Sequence, residues 1–269
     1  MNIGIVGQGF VGNAIYQKFK NYYQVFTYDL DESKSNSTQE KVYSCDVVFI
    51  CLPTPMGKDG KCHTGIVENV IKELKCKIAV IKSTIIPGTT DDLNEKYSHL
   101  DIVHNPEFLT ERNAVEDFKN QNRIILGGPR PATTILKQMY SKVFPKAVIV
   151  KTGAKHAEMV KYFTNSFLAT KVSFANDMYK ICKALNLDYD KVVEYATYDD
   201  RLGKSHWSVP GPDGDFGYGG ICFPKDVRAL IELSDEIKAH SNILSATEKT
   251  NYEVRKNKDW EKAKGRSVL

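Results

Sequence analysis

No stretch of this sequence is apolar for long enough to cross a membrane, which takes about 20 consecutive residues. The first apolar run begins at residue 2, so no removable signal peptide is expected. Cysteine is sparse. The six residues, at 45, 51, 62, 76, 182 and 222, are spaced like neither a disulfide framework nor a zinc site. Reduced thiols, no bound metal and a cytoplasmic location are therefore expected. A basic footprint for nucleic acid is also missing. The net charge of +4 is accounted for by residues 249–269, where seven Lys and Arg face three Asp and Glu. The rest of the chain is balanced, and the tail reads as a solvated helix end. What remains is a globular sequence, 42% hydrophobic and 26% charged, long enough for one large or two modest domains.

Strand-like runs recur at 2–6, 24–28, 46–52, 77–82, 101–104, 123–126 and 147–150, with helical patterns between most of them. This alternation predicts a parallel, doubly wound sheet with helices on both faces. The character changes at Gly153. Residues 154–184 carry a long helical pattern without Pro or Gly, and 187–197 a second. A Gly- and Pro-rich loop from Gly203 to Gly220 precedes a helix from Pro224 to about His240. The expected fold is thus α/β: an N-terminal Rossmann-type sheet over 1–152, an all-helical domain with a long central helix over 153–240, and a polar helical tail over 241–269.

The first strand runs into Gly7-Gln8-Gly9-Phe10-Val11-Gly12, which opens a helix, and the second strand ends at Asp29. Alone, GxGxxG says little. Between a strand and a helix, with an acidic residue about twenty positions on, it is a dinucleotide fingerprint. The glycines permit a tight turn, close approach to a pyrophosphate and close helix packing, and the helix N-terminus faces the phosphates. Asp29 would accept hydrogen bonds from ribose hydroxyls and repel a 2′-phosphate, which favours NAD over NADP. Lys34 is a cation near enough to soften that discrimination.

Ligands of open α/β sheets bind beyond the carboxyl ends of the strands. Thr54, Thr84 and the segment Asn105-Pro106-Glu107-Phe108-Leu109, with Glu111 beyond it, all fall there. Each alone could be a cap or a turn residue. On the long helix, Lys161 and Asn165 are four residues apart and share a face, either as solvated residues or as a pair suited to a developing oxyanion. Finally, Gly217-Tyr218-Gly219-Gly220-Ile221-Cys222-Phe223-Pro224-Lys225-Asp226 sets a thiol between a glycine-rich turn and a helix start. A lone cysteine is usually a buried structural residue. Beside helix N-terminal amides, with a dinucleotide fingerprint elsewhere in the chain, a reactive thiolate becomes the better reading.

In this order the motifs resemble those of the UDP-glucose/GDP-mannose dehydrogenase family, most closely its UDP-glucose-oxidising branch. They run from Gly7–Gly12 and Asp29 through Thr54-Pro55, Lys82-Ser83-Thr84, Asn105–Leu109, Asp117-Phe118, Arg123-Ile124, Lys161-Tyr162 with Asn165, and Asp199-Asp200-Arg201 to the Cys222 segment. The resemblance implies NAD as cofactor and a four-electron oxidation of a nucleotide-sugar primary alcohol, UDP-glucose foremost, to a carboxylate. It makes Cys222 the nucleophile of a thiohemiacetal and then a thioester. Lys161 and Asn165 would stabilise the oxyanion, Asp226 with Thr84 would position water, and Glu107 would serve hydrolysis of the thioester. Phe108, Leu109, Glu111, Phe216, Tyr218 and Gly219 would line the substrate. Arg201 would reach the substrate of a neighbouring subunit, in a homodimer built on helix 154–184.

Family members usually continue into a second Rossmann-like domain, whereas this chain ends soon after Asp226. The resemblance is therefore to a short form without that domain. Two other readings stay open at this point. One is a two-electron β-hydroxyacid dehydrogenase, which shares the Rossmann domain and a Lys-x-x-x-Asn but needs no cysteine. The other is a catalytically idle NAD-binding subunit that depends on a partner.

Overall fold

All seven strand-like runs become strands of one sheet in the computed structural model, which describes residues 1–269. The chain forms two units, Met1–Thr54 with His63–Lys161, and Pro55–Cys62 with Tyr162–Leu269. In the first unit β1 (Asn2–Val6), α1 (Phe10–Phe19), β2 (Gln24–Tyr28), α2 (Gln39–Tyr43) and β3 (Val47–Ile50) follow in turn. Next come α3 (Gly65–Glu73), β4 (Ile78–Ile81), α4 (Thr89–Lys96), β5 (Asp101–His104) and α5 (Ala114–Lys119). The last strands, β6 (Arg123–Gly127) and β7 (Val148–Thr152), flank α6 (Arg130–Val143). Every residue of β3 and β4 is buried, as inner strands covered on both faces must be.

Strand side chains alternate between the two faces and so build two cores. Ile3, Ile5, Phe49 and Val80 pack with Phe19 of α1, Phe118 of α5 and Tyr140 of α6. Val6, Val48, Ile50 and Ile81 pack with Val42 of α2, Ile71 of α3 and Leu93 of α4. Fully buried side chains such as Phe19 and Phe49 each contribute about 1.5–3 kcal/mol. The strand order β2-β1-β3-β4-β5-β6-β7 puts β1 between β2 and β3. The crevice of such a sheet opens at that switch point, where the fingerprint lies.

The expected doubly wound parallel arrangement holds for the sheet apart from one junction. The sheet is not wholly parallel, because β6 joins β5 antiparallel through His104 and Gly127, and β7 runs with β6. The connection, residues 105–122, holds the Asn105–Leu109 segment, a 3-10 turn over Glu111–Asn113 and the six-residue α5. It is about as long as the 82–100 connection between the parallel β4 and β5, so its length does not set the direction.

The long helix forms as expected: α7 spans Ala154–Ala184. The division between units falls at Lys161 rather than near residue 152. The cause is close packing, since a Cβ on Gly127 would sit 2.4 Å from the Ala157 Cβ. The Glu158 carboxylate also accepts hydrogen bonds from the Gly88 and Thr90 amides at the start of α4, at 2.6 and 2.8 Å. The first eight residues of α7 thus belong to the sheet unit.

The second unit continues with α8 (Tyr189–Ala196), the irregular loop, α9 (Phe223–Glu236), α10 (Asn242–Val254) and α11 (Asp259–Lys262). Helix α9 ends four residues before His240, where Lys238 takes a left-handed φ of 58°. The tail is not a solvated helix end. Thr247 and Asn251 on α10 and Arg255 just past its end, spaced by four, are buried, and Trp260 is 1% exposed. Ser267 and Leu269 pair with the backbone of Met56, which joins residues 55–62 to this unit. No helix is long and apolar enough to cross a membrane.

Candidate active site

The residues singled out in the sequence fall into separate clusters, most of them in the sheet unit. At the fingerprint, Gly7 has a φ of 88° and Gly12 packs so closely that an added Cβ would lie 1.9 Å from the Gly7 carbonyl. Gly9 differs: a Cβ there would meet nothing within 4 Å. Gly9 is the N-cap of α1, no side chain caps that helix, and its first turn, with Phe10 and Val11, holds no acidic residue. Open backbone at an uncapped helix N-terminus is a cradle for a phosphate. Asp29, just beyond β2, accepts the Gln8 amide at 2.6 Å, which fixes its carboxylate at the rim of this cradle. The residues present therefore fit a dinucleotide. Lys34 is taken up by an exposed ion pair with Asp31 at 2.9 Å.

Beyond β3 and β4, the Thr54 hydroxyl donates to the Thr84 carbonyl at 2.7 Å, so these two residues share one rim. Beyond β5, Lys161 Nζ donates to the Glu107 carbonyl at 2.7 Å and to its carboxylate at 2.8 Å. The other Glu107 oxygen accepts the Leu109 amide at 2.7 Å. Burial pushes the Glu107 carboxyl up, but Lys161, the Leu109 amide and Lys82 together hold it below the usual range. The Phe108 ring lies 5.7 Å from Lys161 Nζ and 4.1 Å from the Arg123 guanidinium. Glu111 is exposed in the 3-10 turn.

Lys82 was quoted in the sequence only as part of a motif, yet it is 4% exposed and donates to Asn105 Oδ1 at 3.0 Å. Burial brings its pKa down to about 8. Asn105 Oδ1 also accepts the Tyr140 hydroxyl, and its amide donates to the Ile125 carbonyl. The Asn105–Glu107 turn is therefore held from three elements. A lysine closing an apolar strand was the available signal.

In the helical unit, Cys222 is the N-cap of α9 and its carbonyl accepts the Asp226 amide at 2.9 Å. Asp226, 1% exposed, accepts from Asn165 at 2.6 Å and from Lys225 at 2.5 Å. Burial works against the Lys225 charge, but Asp226 outweighs it and raises the lysine pKa, with Cys62 and Cys222 also within electrostatic reach. Lys225 was missed because an adjacent Lys-Asp pair looks like ordinary surface. The main chain of Tyr218 is bonded at both its N–H and its C=O by Asn251, and Phe216 packs on Tyr179. Arg201 stays apart: it is forked onto Asp199 of its own chain and its side chain is 89% exposed.

Residues 33–146 match the NAD binding domain of the UDP-glucose/GDP-mannose dehydrogenase family, and residues 155–253 match its central domain. A UDP-glucose 6-dehydrogenase of Haloferax volcanii is 29% identical over 93% of this chain and 69% of its own length. One from Pseudomonas aeruginosa is 36% identical over 80% of this chain, which spans 50% of that protein. The solved UDP-glucose dehydrogenase of Pyrobaculum islandicum superposes with a TM-score of 0.84 at 28% identity, covering 94% of this chain and 68% of that one.

Proposed function

The chain belongs to the UDP-glucose/GDP-mannose dehydrogenase family, and from that membership we propose that it oxidises the primary alcohol of a nucleotide sugar, UDP-glucose foremost, to the carboxylate. The observation that carries this reading is Asp226, buried and held by Asn165 and Lys225 one helical turn after Cys222. A β-hydroxyacid dehydrogenase needs no catalytic cysteine at the start of that helix. Bound at the fingerprint, two NAD in succession would accept one hydride in each oxidation. Gly7, Gly9, Gly12 and Asp29 are the residues that would hold them.

The Cys222 sulfur attacks the aldehyde carbon, and the proton taken up by the oxyanion completes a thiohemiacetal. Loss of a hydride from that carbon and of the hydroxyl proton to water leaves the thioester, and a second water then releases the acid and frees the thiol. A thiolate is the attacking form, and the buried Lys225 cation favours it electrostatically. Lys161 and Asn165 stabilise the negative oxygen, and Asp226 and Thr84 orient water. Glu107, ionised because Lys161 holds its pKa down, orients the water that cleaves the thioester. The thiol must stay reduced, which suits the cytoplasm. Incubating the chain with UDP-glucose and NAD while following NADH tests the reading. Two NADH per sugar, with UDP-glucuronate as product, is the expected result, and one NADH with aldehyde accumulating would overturn it.

The cradle gives a separate check. Gly9→Ala is expected to leave Tm within about 3 °C, because the position is open. It should weaken NAD binding by roughly tenfold or more, as the methyl enters the phosphate's place. Gly12→Ala collides with the Gly7 carbonyl and is expected to lower Tm well beyond that. Calorimetry with NAD separates the two.

The functional form proposed here is a homodimer through α7. Phe163, Phe167, Phe174, Ile181 and Leu185 are all at least 50% exposed. At 3.6 residues per turn the first four fall within about 40° of one line along the helix, and Leu185 follows just past its end. A continuous apolar stripe of this kind marks an interface. Phe167→Asp is expected to shift the sedimenting species from twice 30.3 kDa to 30.3 kDa. A monomeric native chain would rule the dimer out.

A further inference from the structure

The segment that delivers Cys222 makes little regular structure of its own. Its main-chain amides are instead bonded one by one to side chains. Gly217 N–H donates to Asn176 Oδ1 at 3.2 Å, Tyr218 N–H to Asn251 Oδ1 at 2.7 Å, and Gly220 N–H to the Asp259 carboxylate at 3.0 Å. Two of these three acceptors lie in the C-terminal tail. Asn251 also donates back to the Tyr218 carbonyl at 3.0 Å, so it clamps both main-chain groups of that residue.

Arg255 locks the tail in place. It is 4% exposed and donates to Asp213 at 2.6 Å, to the Asn257 carbonyl at 2.9 Å and, at longer range, to Asp259 at 3.4 Å and the Phe216 carbonyl at 3.5 Å. Asp215 lies 3.8 Å from its Nε and accepts the Asn257 amide at 2.9 Å. A buried guanidinium in a fork of carboxylates and carbonyls fixes geometry as a lysine could not. The approach is so close that a Cβ on Gly217 would lie 2.2 Å from Asn251 Oδ1, and one on Gly219 2.2 Å from Arg255. Those glycines are required by the tail as well as by the turn.

We propose that Asn251, Arg255 and Asp259 are positioning residues for the Cys222 thiol, acting through the Phe216–Gly220 main chain. This deepens the reading of Cys222 as the reactive thiol and rests on it. The tail is then a brace that removes conformational freedom from the loop before substrate arrives, so the thiol is held where it must react. The acidic Asp213, Asp215 and Asp259 are its counter-charges, not a surface patch.

The test uses the full chain and the variants Arg255→Met and Asp259→Ala. Three quantities are followed: amide hydrogen exchange, iodoacetamide labelling of Cys222 resolved by peptide mass, and turnover with UDP-glucose and NAD. Exchange over Gly217–Cys222 is expected to speed up roughly tenfold in each variant, with the labelling rate of Cys222 shifted comparably. Exchange in β1 and β3 and labelling of buried Cys182 should not change. Turnover should fall about tenfold with KM for NAD unchanged.

Unchanged exchange and labelling in both variants would overturn the brace. So would acceleration spread evenly over α7, α9 and α10, since that is what a merely structural role produces. Should Arg255→Met not fold, Asp259→Ala decides, because Asp259 bonds the Gly220 amide directly and its side chain is 39% exposed. If the parent chain makes no NADH at all, the catalytic reading of Cys222 fails, while exchange and labelling still decide whether the tail positions it.

Discussion

Cys222→Ser is expected to end acid formation, lowering turnover to UDP-glucuronate by at least on the order of 10³-fold. Serine is close to cysteine in size, so folding and NAD binding should be unaffected. What it loses is the charge. A thiol is ionised within reach of neutral pH and responds to the nearby Lys225 cation, whereas a serine hydroxyl stays protonated and has no base assigned to it. The first oxidation does not need the covalent bond, so a slow release of one NADH per sugar can survive. Product analysis is the decisive measurement. Acid produced by Cys222→Ser at more than a few per cent of the native rate would remove the thioester from the scheme.

The sheet was legible because its strands are continuous apolar runs, Val47–Ile50 and Ile78–Ile81 among them, between helices with one apolar face. The length of α7 followed from the absence of Pro and Gly over 154–184. The direction of β6 was not legible, since apolar alternation carries no sign and the connection before β6 is about as long as that between the parallel β4 and β5. Buried polar residues escaped for a related reason. Lys82, Lys225, Asn251 and Arg255 are all under 9% exposed, yet by residue type each belongs on a surface. They are inside because each finds hydrogen-bond or charge partners that lie far apart in sequence or are themselves inconspicuous. The tail was misjudged on the same ground: α10 and the residue that caps it bury a polar stripe, Thr247, Asn251 and Arg255, which no hydropathy pattern reveals. The fingerprint glycines and the cysteine before Phe-Pro-Lys-Asp stand out in the sequence as chemical signals and not as patterns of burial.

Lys161→Met should be the most damaging change to the folded state as well as to turnover. Lys161 and Glu107 are both buried, and the lysine supplies two of the donors that hold the Asn105–Leu109 turn. Removing one partner of a buried ion pair strands the other charge and costs about 3–5 kcal/mol. The pH dependence should change sign. In the native chain the Glu107 pKa is lowered, so its contribution is present above the unfolded value of about 4.3 and is lost as pH falls through the folded one. Without Lys161 burial dominates and the carboxyl pKa rises. Stability attributable to Glu107 then declines as pH increases through that range. Urea midpoints between pH 4 and 7 should therefore slope in opposite directions in the two proteins. Adding Glu107→Gln to Lys161→Met should recover most of the loss, because a neutral amide no longer needs the cation. Turnover should nonetheless stay down by about 10²–10³-fold in both, since the oxyanion donor proposed for Lys161 is gone. Strictly additive losses in the double variant would mean the pair is not coupled and that Lys161 acts on stability through its packing alone.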